Sequence, residues 1–531
     1  MEMHSDRVEK LLNWCSQNNI KIDSRLRLHD GESEADDLAD AEGVIQGIAV
    51  FSNTSIPPST SLVQIPKSSI LSIKSCSLSN VFRSIHEGME DHPSITFALA
   101  LLTEIKLAAR SRWYGYIQSL PVSVVKIAAF WETDGGSDGG RAQRWCKGTE
   151  VEKILLRERM ESSLRSFWTD VAQPILSSVN LKAEYADMRH AYSLVSSRAF
   201  YVDSYHGISM VPIADAFNHV EENQIHLETD YDVCSTCGSL DVCEHDEEQH
   251  ADDPDQQSRQ ETPNWKSRVQ HRFTDELDMC EMVTNTPIEP GNEVFNSYDA
   301  NLSNAQLLCH YGFLLEGNSN DIVTWSMDEI VQVLNGDQYS PFVASIRMCA
   351  LAVSSHHLSV LYDPPSSEKQ AQLVFGVDAE GSVSTHMFGL LLVENLIRRQ
   401  EEGELTHYVD LLPGICADAC NLLKYFLDDE DCDPMVPNKL RGFSGDSQTL
   451  DVFPILRDIC VAMQNLCEEK AFGIGLDPNE LEGRDWGEVL DATPRTDSAT
   501  RMAITYAVSE RSMLESCKMA WEELSARLAG A

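Results

Sequence analysis

An α+β chain is expected: a β-rich domain interrupted by a helical insert, followed by a second, helical domain. Three observations predict it. Short β-branched runs broken by prolines lie between Val44 and Leu71, and strand character returns at 207–213 and 281–298. Apolar residues recur at helical intervals over 92–121 and 148–200. Beyond about Asp321 helical periodicity dominates.

Taken in order, residues 5–18 carry Val8, Leu11, Leu12 and Cys15 at helical spacing, so the chain opens with a helix. Asp30 to Glu42 holds seven acidic residues and reads as a solvated loop. Ile56-Pro57-Pro58 and Ile65-Pro66 then punctuate brief strands joined by turns. The Gly-rich stretch Asp134 to Gly140 reads as a flexible loop dividing the helical insert. Glu289-Pro290-Gly291-Asn292 supplies a tight turn before the alternating Glu293 to Tyr298, so Tyr298 is expected to close a strand. Ser303 with Gln306 forms a capping box that starts a helix near Asn304, with Leu307, Leu308 and Tyr311 on its buried side. Loops are expected at 363–367 and 428–445, and a long last helix at 497–527.

At 531 residues the chain can bury two or three cores, taking roughly 100–200 residues per domain. The expected division is 1–320, with the insert at about 85–195 and a polar insertion at about 230–271, and then 321–531. Charged residues near the start break every apolar run, and no stretch approaches the ~18 uncharged apolar residues of a membrane span. A soluble intracellular protein of nucleus or cytoplasm, without membrane contact, is the expectation. The 15 cysteines are mostly scattered singly, as reduced thiols would be, and Cys416 and Cys420 are expected to fill core or surface helix positions. Against 41 Lys and Arg stand 84 Asp and Glu, a net charge of −43. Such a surface repels nucleic-acid phosphate and attracts basic protein.

The chemistry concentrates in two stretches, Ala214-Asp215-Ala216-Phe217-Asn218-His219 and Asn296-Ser297-Tyr298-Asp299. Ser197-Arg198-Ala199-Phe200 and Met210-Val211-Pro212-Ile213 precede them, and Tyr311-Gly312-Phe313 follows. Leu62 to Leu71, and the Trp113, Tyr116, Leu120 and Pro121 of a Trp-x-x-Tyr-x-x-x-Leu-Pro pattern, extend the set. In order and spacing the whole resembles the SET-domain protein lysine methyltransferases of the branch typified by Rubisco large-subunit methyltransferase and its fungal relatives, which modify ribosomal proteins. Tyr506, Ser509-Glu510, Met513 and Leu514 are similar to the final helix of that branch's substrate-binding domain.

The resemblance implies a SET β-fold with one threaded segment, S-adenosyl-L-methionine as methyl donor, and a lysine acceptor on a basic protein. It implies that Tyr298 is catalytic, orienting the amine, and that Asn218 binds the amino-acid end of the donor and the main chain at His219 its adenine. It further implies that Arg198 lies near donor and lysine, that Tyr311 lines the donor pocket, and that Asp215 shapes the lysine site. The chain departs from the family at Ile45-Gln46-Gly47-Ile48, where a Gly-x-Gly is usual and only Gly47 is kept. That departure and the acidic charge motivate a rival expectation, a non-catalytic SET-like clamp or chaperone for basic proteins. The residue types also leave histidine open as the acceptor. On the first reading the partner is a Lys-rich ribosomal protein, with histones or nuclear proteins next, and the protein itself a monomer.

The insertion carries Cys234-x2-Cys237-x5-Cys243-x-His245, whose spacing permits a tetrahedral zinc site of three thiolates and one imidazole, with His250 an alternative ligand. An exposed acidic loop with fortuitous cysteines is the competing reading. The stretch from Glu244 to Glu261 is polar and charged, a composition that favours disorder.

Overall fold

The computed structural model describes residues 5–31, 47–86, 92–131, 136–240, 243–245, 278–335, 373–398, 415, 416, 419, 423, 452–475 and 484–530. Ile45, His250, Cys420, the stretch from 246 to 261, most of the acidic loop after Asp30 and the loops at 363–367 and 428–445 lie outside them. The chain forms two compact units: Met1–Phe130, Arg159–Ala300 and His310–Gly312 make the first, and Trp131–Glu158, Asn301–Cys309 and Phe313–Ala531 the second. Residues 131–158, inside the expected insert, thus group with the second unit.

The first unit opens with α1 (Asp6–Gln17), where the Ser5 hydroxyl accepts from the Val8 N–H and Val8, Leu11, Trp14 and Cys15 are buried. Strands β1 (Lys21–Ile22), β2 (Leu26–Asp30), β3 (Ile48–Ser52), β4 (Ser61–Pro66) and β5 (Leu71–Ser72) follow. Helices α2 (Ser79–His86), α3 (Pro93–Leu107) and α4 (Tyr114–Ile117) come next. Every residue of α3 from Ile95 to Glu104 is buried, so a largely apolar helix covered on all sides lies within this core.

The second unit contributes α5 (Asp138–Trp145) and α6 (Glu150–Glu158). The Gly-rich stretch expected as a loop is therefore corrected: from Asp138 it is helix, because the Ser137 hydroxyl caps the Gly140 N–H at 3.0 Å. The Asp138 carboxylate in turn accepts from the Ala499 and Thr500 N–H groups at 3.0 and 2.9 Å. Tertiary contacts there outweigh the low helix propensity of Gly139 and Gly140.

Back in the first unit, α7 (Met160–Phe167), α8 (Gln173–Ser178) and α9 (Tyr185–Arg198) lead to β6 (Phe200–Tyr201), β7 (Ile208–Met210), β8 (Ile225–Glu228) and β9 (Met279–Thr284). Among the described residues three antiparallel sheets result, in the orders β1-β4-β9-β8, β2-β3 and β5-β7-β6. Glu293 to Tyr298 does not continue as a regular strand, which corrects the sequence expectation. Single bridges hold it instead, Phe51 to Glu293 antiparallel and His219 and Ile225 to Asn296 parallel, since it pairs first with β3 and then with the 219–225 segment rather than with one strand along its length.

In the rest of the second unit α10 (Asn304–His310) begins behind the expected capping box, with the Ser303 N–H donating to Gln306 Oε1 at 3.0 Å and the Gln306 N–H to Ser303 Oγ at 3.4 Å. After it come β10 (Ile322–Thr324), α11 (Met327–Asn335), β11 (Gly376–Asp378), α12 (Thr385–Arg398), α13 (Val452–Gly473), α14 (Trp486–Ala492) and α15 (Ser498–Gly530). The antiparallel pair β10-β11 stands out against the all-helical expectation, being too short to leave a periodic signal. Cys416, Cys460, Cys467 and Cys517 are buried in this unit's core, packed as small apolar side chains. No helix among the described residues is long and apolar enough to cross a membrane.

Candidate active site

The first unit brings Gly47, Arg198, Asp215, Asn218, His219, Tyr298 and Tyr311 together. Arg198 ends α9, and its Nη1 donates to the Asp215 carbonyl oxygen at 2.8 Å. Gly47 has φ +103°, and a Cβ there would lie 2.8 Å from Arg198 Nη2, so the retained glycine gives the guanidinium its room.

After β7 the chain turns through Ile213 at φ +72°, a strained conformation for a β-branched residue, into a single 3₁₀ turn, Ala214–Ala216. That turn points the Asp215 carboxylate inward, where the Tyr116 hydroxyl donates to Oδ2 at 2.8 Å. Burial pushes the Asp215 carboxyl up from its ordinary value, while the Arg198 charge opposes the rise.

Asn218 to Val220 then runs parallel to Asn296. The Asn296 N–H donates to the Asn218 carbonyl at 2.9 Å, and the Val220 N–H to the Asn296 carbonyl at 3.0 Å. Gln224 clamps the same segment, its Oε1 accepting from the Phe295 N–H at 3.1 Å. This pairing seats the Tyr298 N–H on His219 Nδ1 at 3.0 Å. Nδ1 must then be the unprotonated ring nitrogen, and burial lowers the His219 value in the same direction.

The rings of His219, Tyr298 and Tyr311 stack in series, with centroids 5.0 Å apart and planes 25° apart at each step. Burial pushes the Tyr298 phenol up to about 12, against the pull of Arg198, and raises Tyr311 as well. Tyr298 therefore holds its proton at neutral pH and acts as a hydrogen-bonding group. The Asn218 amide donates to Glu293 Oε1 at 2.5 Å, and burial raises the Glu293 carboxyl.

Two members of this cluster were not singled out as site residues from sequence. Glu293 stands in the same run as Asn296 and Tyr298, which was the available signal. Tyr116 belongs to the insert motif, but its partner Asp215 lies 99 residues away.

A second grouping forms at the start of the polar insertion. The ligand atoms of Cys234, Cys237, Cys243 and His245 all lie within 4.8 Å of one another. His245 Nδ1 is 3.8 Å from Cys234 Sγ and 3.6 Å from Cys243 Sγ.

No family model matches the chain. Among curated proteins it is similar to ribosomal lysine N-methyltransferase 3 of Saccharomyces cerevisiae, 28% identical over 53% of this chain and 59% of that protein. It is also similar to the N-lysine methyltransferase SETD6 of Rattus norvegicus, 24% identical over 59% of this chain and 55% of that protein. The matches thus span less than two thirds of these relatives' length. Two solved structures share the fold, the SET domain of LSMT bound to lysine and AdoHcy and Rubisco LSMT bound to AdoMet. Each has a TM-score of 0.58 at 15% identity, covering 99% of this chain and 92% and 94% of theirs.

Proposed function

We propose that this chain, whose fold is that of the SET-domain lysine methyltransferases of the Rubisco large-subunit branch, is an S-adenosyl-L-methionine-dependent protein-lysine N-methyltransferase. The observation that carries the reading is the parallel pairing of Asn218–Val220 with Asn296, which stacks the buried Tyr298 phenol on the histidine that follows Asn218. In the two solved neighbours, which share only the fold, the bound molecules are a donor, its product and lysine.

The residues present fit a donor with a cationic centre and a zwitterionic end. Asn218 keeps its side-chain oxygen as an acceptor while its amide engages Glu293, and the Ser297 hydroxyl is buried with no protein partner. When bound, the donor would supply an electrophilic methyl group to the lysine lone pair, with the thioether as the leaving group. A free lysine, with a pKa of about 10.4, must first lose its proton. The desolvated surroundings of Tyr298, Tyr311 and His219 favour the neutral amine, and the Tyr298 hydroxyl orients it.

For the acceptor we favour a Lys-rich ribosomal protein, modified in cytoplasm or nucleus. The net charge of −43 suits a basic partner, and the yeast relative's name points to that class. The test is calorimetry with S-adenosyl-L-methionine, together with mass spectrometry of ribosomal proteins incubated with chain and donor. The expected result is saturable donor binding and mass gains of one methyl unit on lysine. In Tyr298→Phe the methylation should drop about 100-fold or more, with donor binding kept. A chain that binds basic protein but never the donor would instead be the acidic clamp.

A further inference from the structure

We propose that Cys234, Cys237, Cys243 and His245 bind one zinc ion in a structural site that orders the start of the β8–β9 insertion where it packs on the turn before β7. With zinc–sulfur bonds of about 2.3 Å and zinc–nitrogen bonds of about 2.0–2.1 Å, a tetrahedron has sulfur–nitrogen edges of about 3.6 Å. The two sulfur–nitrogen separations here are 3.8 and 3.6 Å. All three cysteines are free thiols, so no disulfide accounts for their convergence.

The backbone is built as a ligand turn. The Gly238 N–H donates to the Cys234 carbonyl at 2.7 Å with φ +74°, the Cys234 N–H to the Ser239 carbonyl at 3.0 Å, and the Thr236 and Cys237 N–H groups are directed at the Cys234 sulfur. Donors aimed at a ligating sulfur are what a bound thiolate requires around it. Soft sulfur with imidazole selects zinc, and four protein ligands leave no open position, so the role is structural.

The knuckle rests on a prepared seat. Gly238 packs against the Tyr205 ring so closely that a Cβ would lie 2.9 Å from Cδ1. Nearby, buried Lys67 donates to the Asp230 carbonyl at 3.1 Å and pairs with Asp203 and Asp278 at 2.8 and 2.9 Å. One ammonium thus joins the place where the insertion leaves, the place where it returns, and the Asp203–His206 turn beneath it. The metal would fix the first loop beyond that neck, where apolar residues are few.

Elemental analysis of the full chain, purified without a metal-affinity step and reconstituted with zinc, tests the site. One zinc per chain is expected. Alkylation mapped by mass spectrometry should spare Cys234, Cys237 and Cys243 until a chelator is added. Cys237→Ser, at an exposed position, should lose the zinc without changing the circular dichroism. No zinc in the reconstituted wild-type chain, or full zinc content in a Cys237→Ser, Cys243→Ser double variant, would overturn the proposal.

Discussion

At the scale of single residues, the candidate site is held by polar groups that burial would penalise if they were left alone. Tyr116 is 1% exposed and Asp215 8%, and one hydrogen bond satisfies both. Tyr116→Phe removes the donor and leaves a buried carboxylate oxygen short of a partner, a loss of about 1–3 kcal/mol. The unfolding free energy should fall by that amount, which urea unfolding would show as a lower midpoint with an unchanged slope. An unshifted midpoint would mean that water replaces the phenol. That Tyr116 mattered was legible from its place in the Trp-x-x-Tyr pattern, but which carboxylate it serves was not, because nothing local in the sequence relates positions so far apart.

At the scale of elements, the segment at Gly47, the end of α9 and the 3₁₀ turn at Asp215 form a chain of support for the Arg198 guanidinium. Gly47→Ala places a Cβ 2.8 Å from Arg198 Nη2 at a positive φ, with strain of roughly 1–2 kcal/mol. Because the clash is with the far end of a flexible side chain, the arginine should swing away and the fold survive. Methylation kcat/KM should fall about tenfold, the equivalent of ~1.4 kcal/mol, with only a small drop in Tm. Equal losses in both would assign Gly47 a purely structural part. The elements themselves are legible in the sequence where the period or the cap is strong, as in the apolar spacing of α1 and the capping box of α10. They were misread at Asp138, where a capping serine and contacts with Ala499 and Thr500 made helix from a glycine-rich run, and at Glu293 to Tyr298, where alternation disguised two successive partnerships.

At the scale of the whole molecule, the second unit carries a buried acid that makes stability depend on pH. Glu510 on α15 is 2% exposed, accepts from the Tyr506 hydroxyl at 2.5 Å and the Glu150 N–H at 2.8 Å, and burial followed by the Glu150 charge pushes its carboxyl up to about 8. An unfolded glutamate titrates near ~4.3, so the folded state binds the extra proton in between. Its contribution is fully present below the unfolded value and is lost as pH rises through about 8. Glu510→Gln should flatten that decline in urea midpoints measured from pH 5 to 9, and a wild-type slope retained in the variant would reject Glu510 as its source. Membership of this unit is likewise a matter of long-range contact: Arg141 meets Asp497 at 2.8 Å, and Gly148 fits against the Gly473 carbonyl.

The sequence by itself determined the α+β class, the order of helices and strands around an insert, the acidic character, and the residue types of the candidate site and of the Cys/His cluster. These follow from periodicity, capping and motif, which act over a few residues at a time. Only the tertiary structure decided that Asn218 lies beside Glu293, that the His219 and Tyr311 rings stack on either side of Tyr298, that Tyr116 satisfies Asp215, and that residues 131–158 join the second unit. Those pairings close loops of tens to hundreds of residues, and their free energy comes from burial and from hydrogen bonds made in a desolvated interior, which no local pattern encodes.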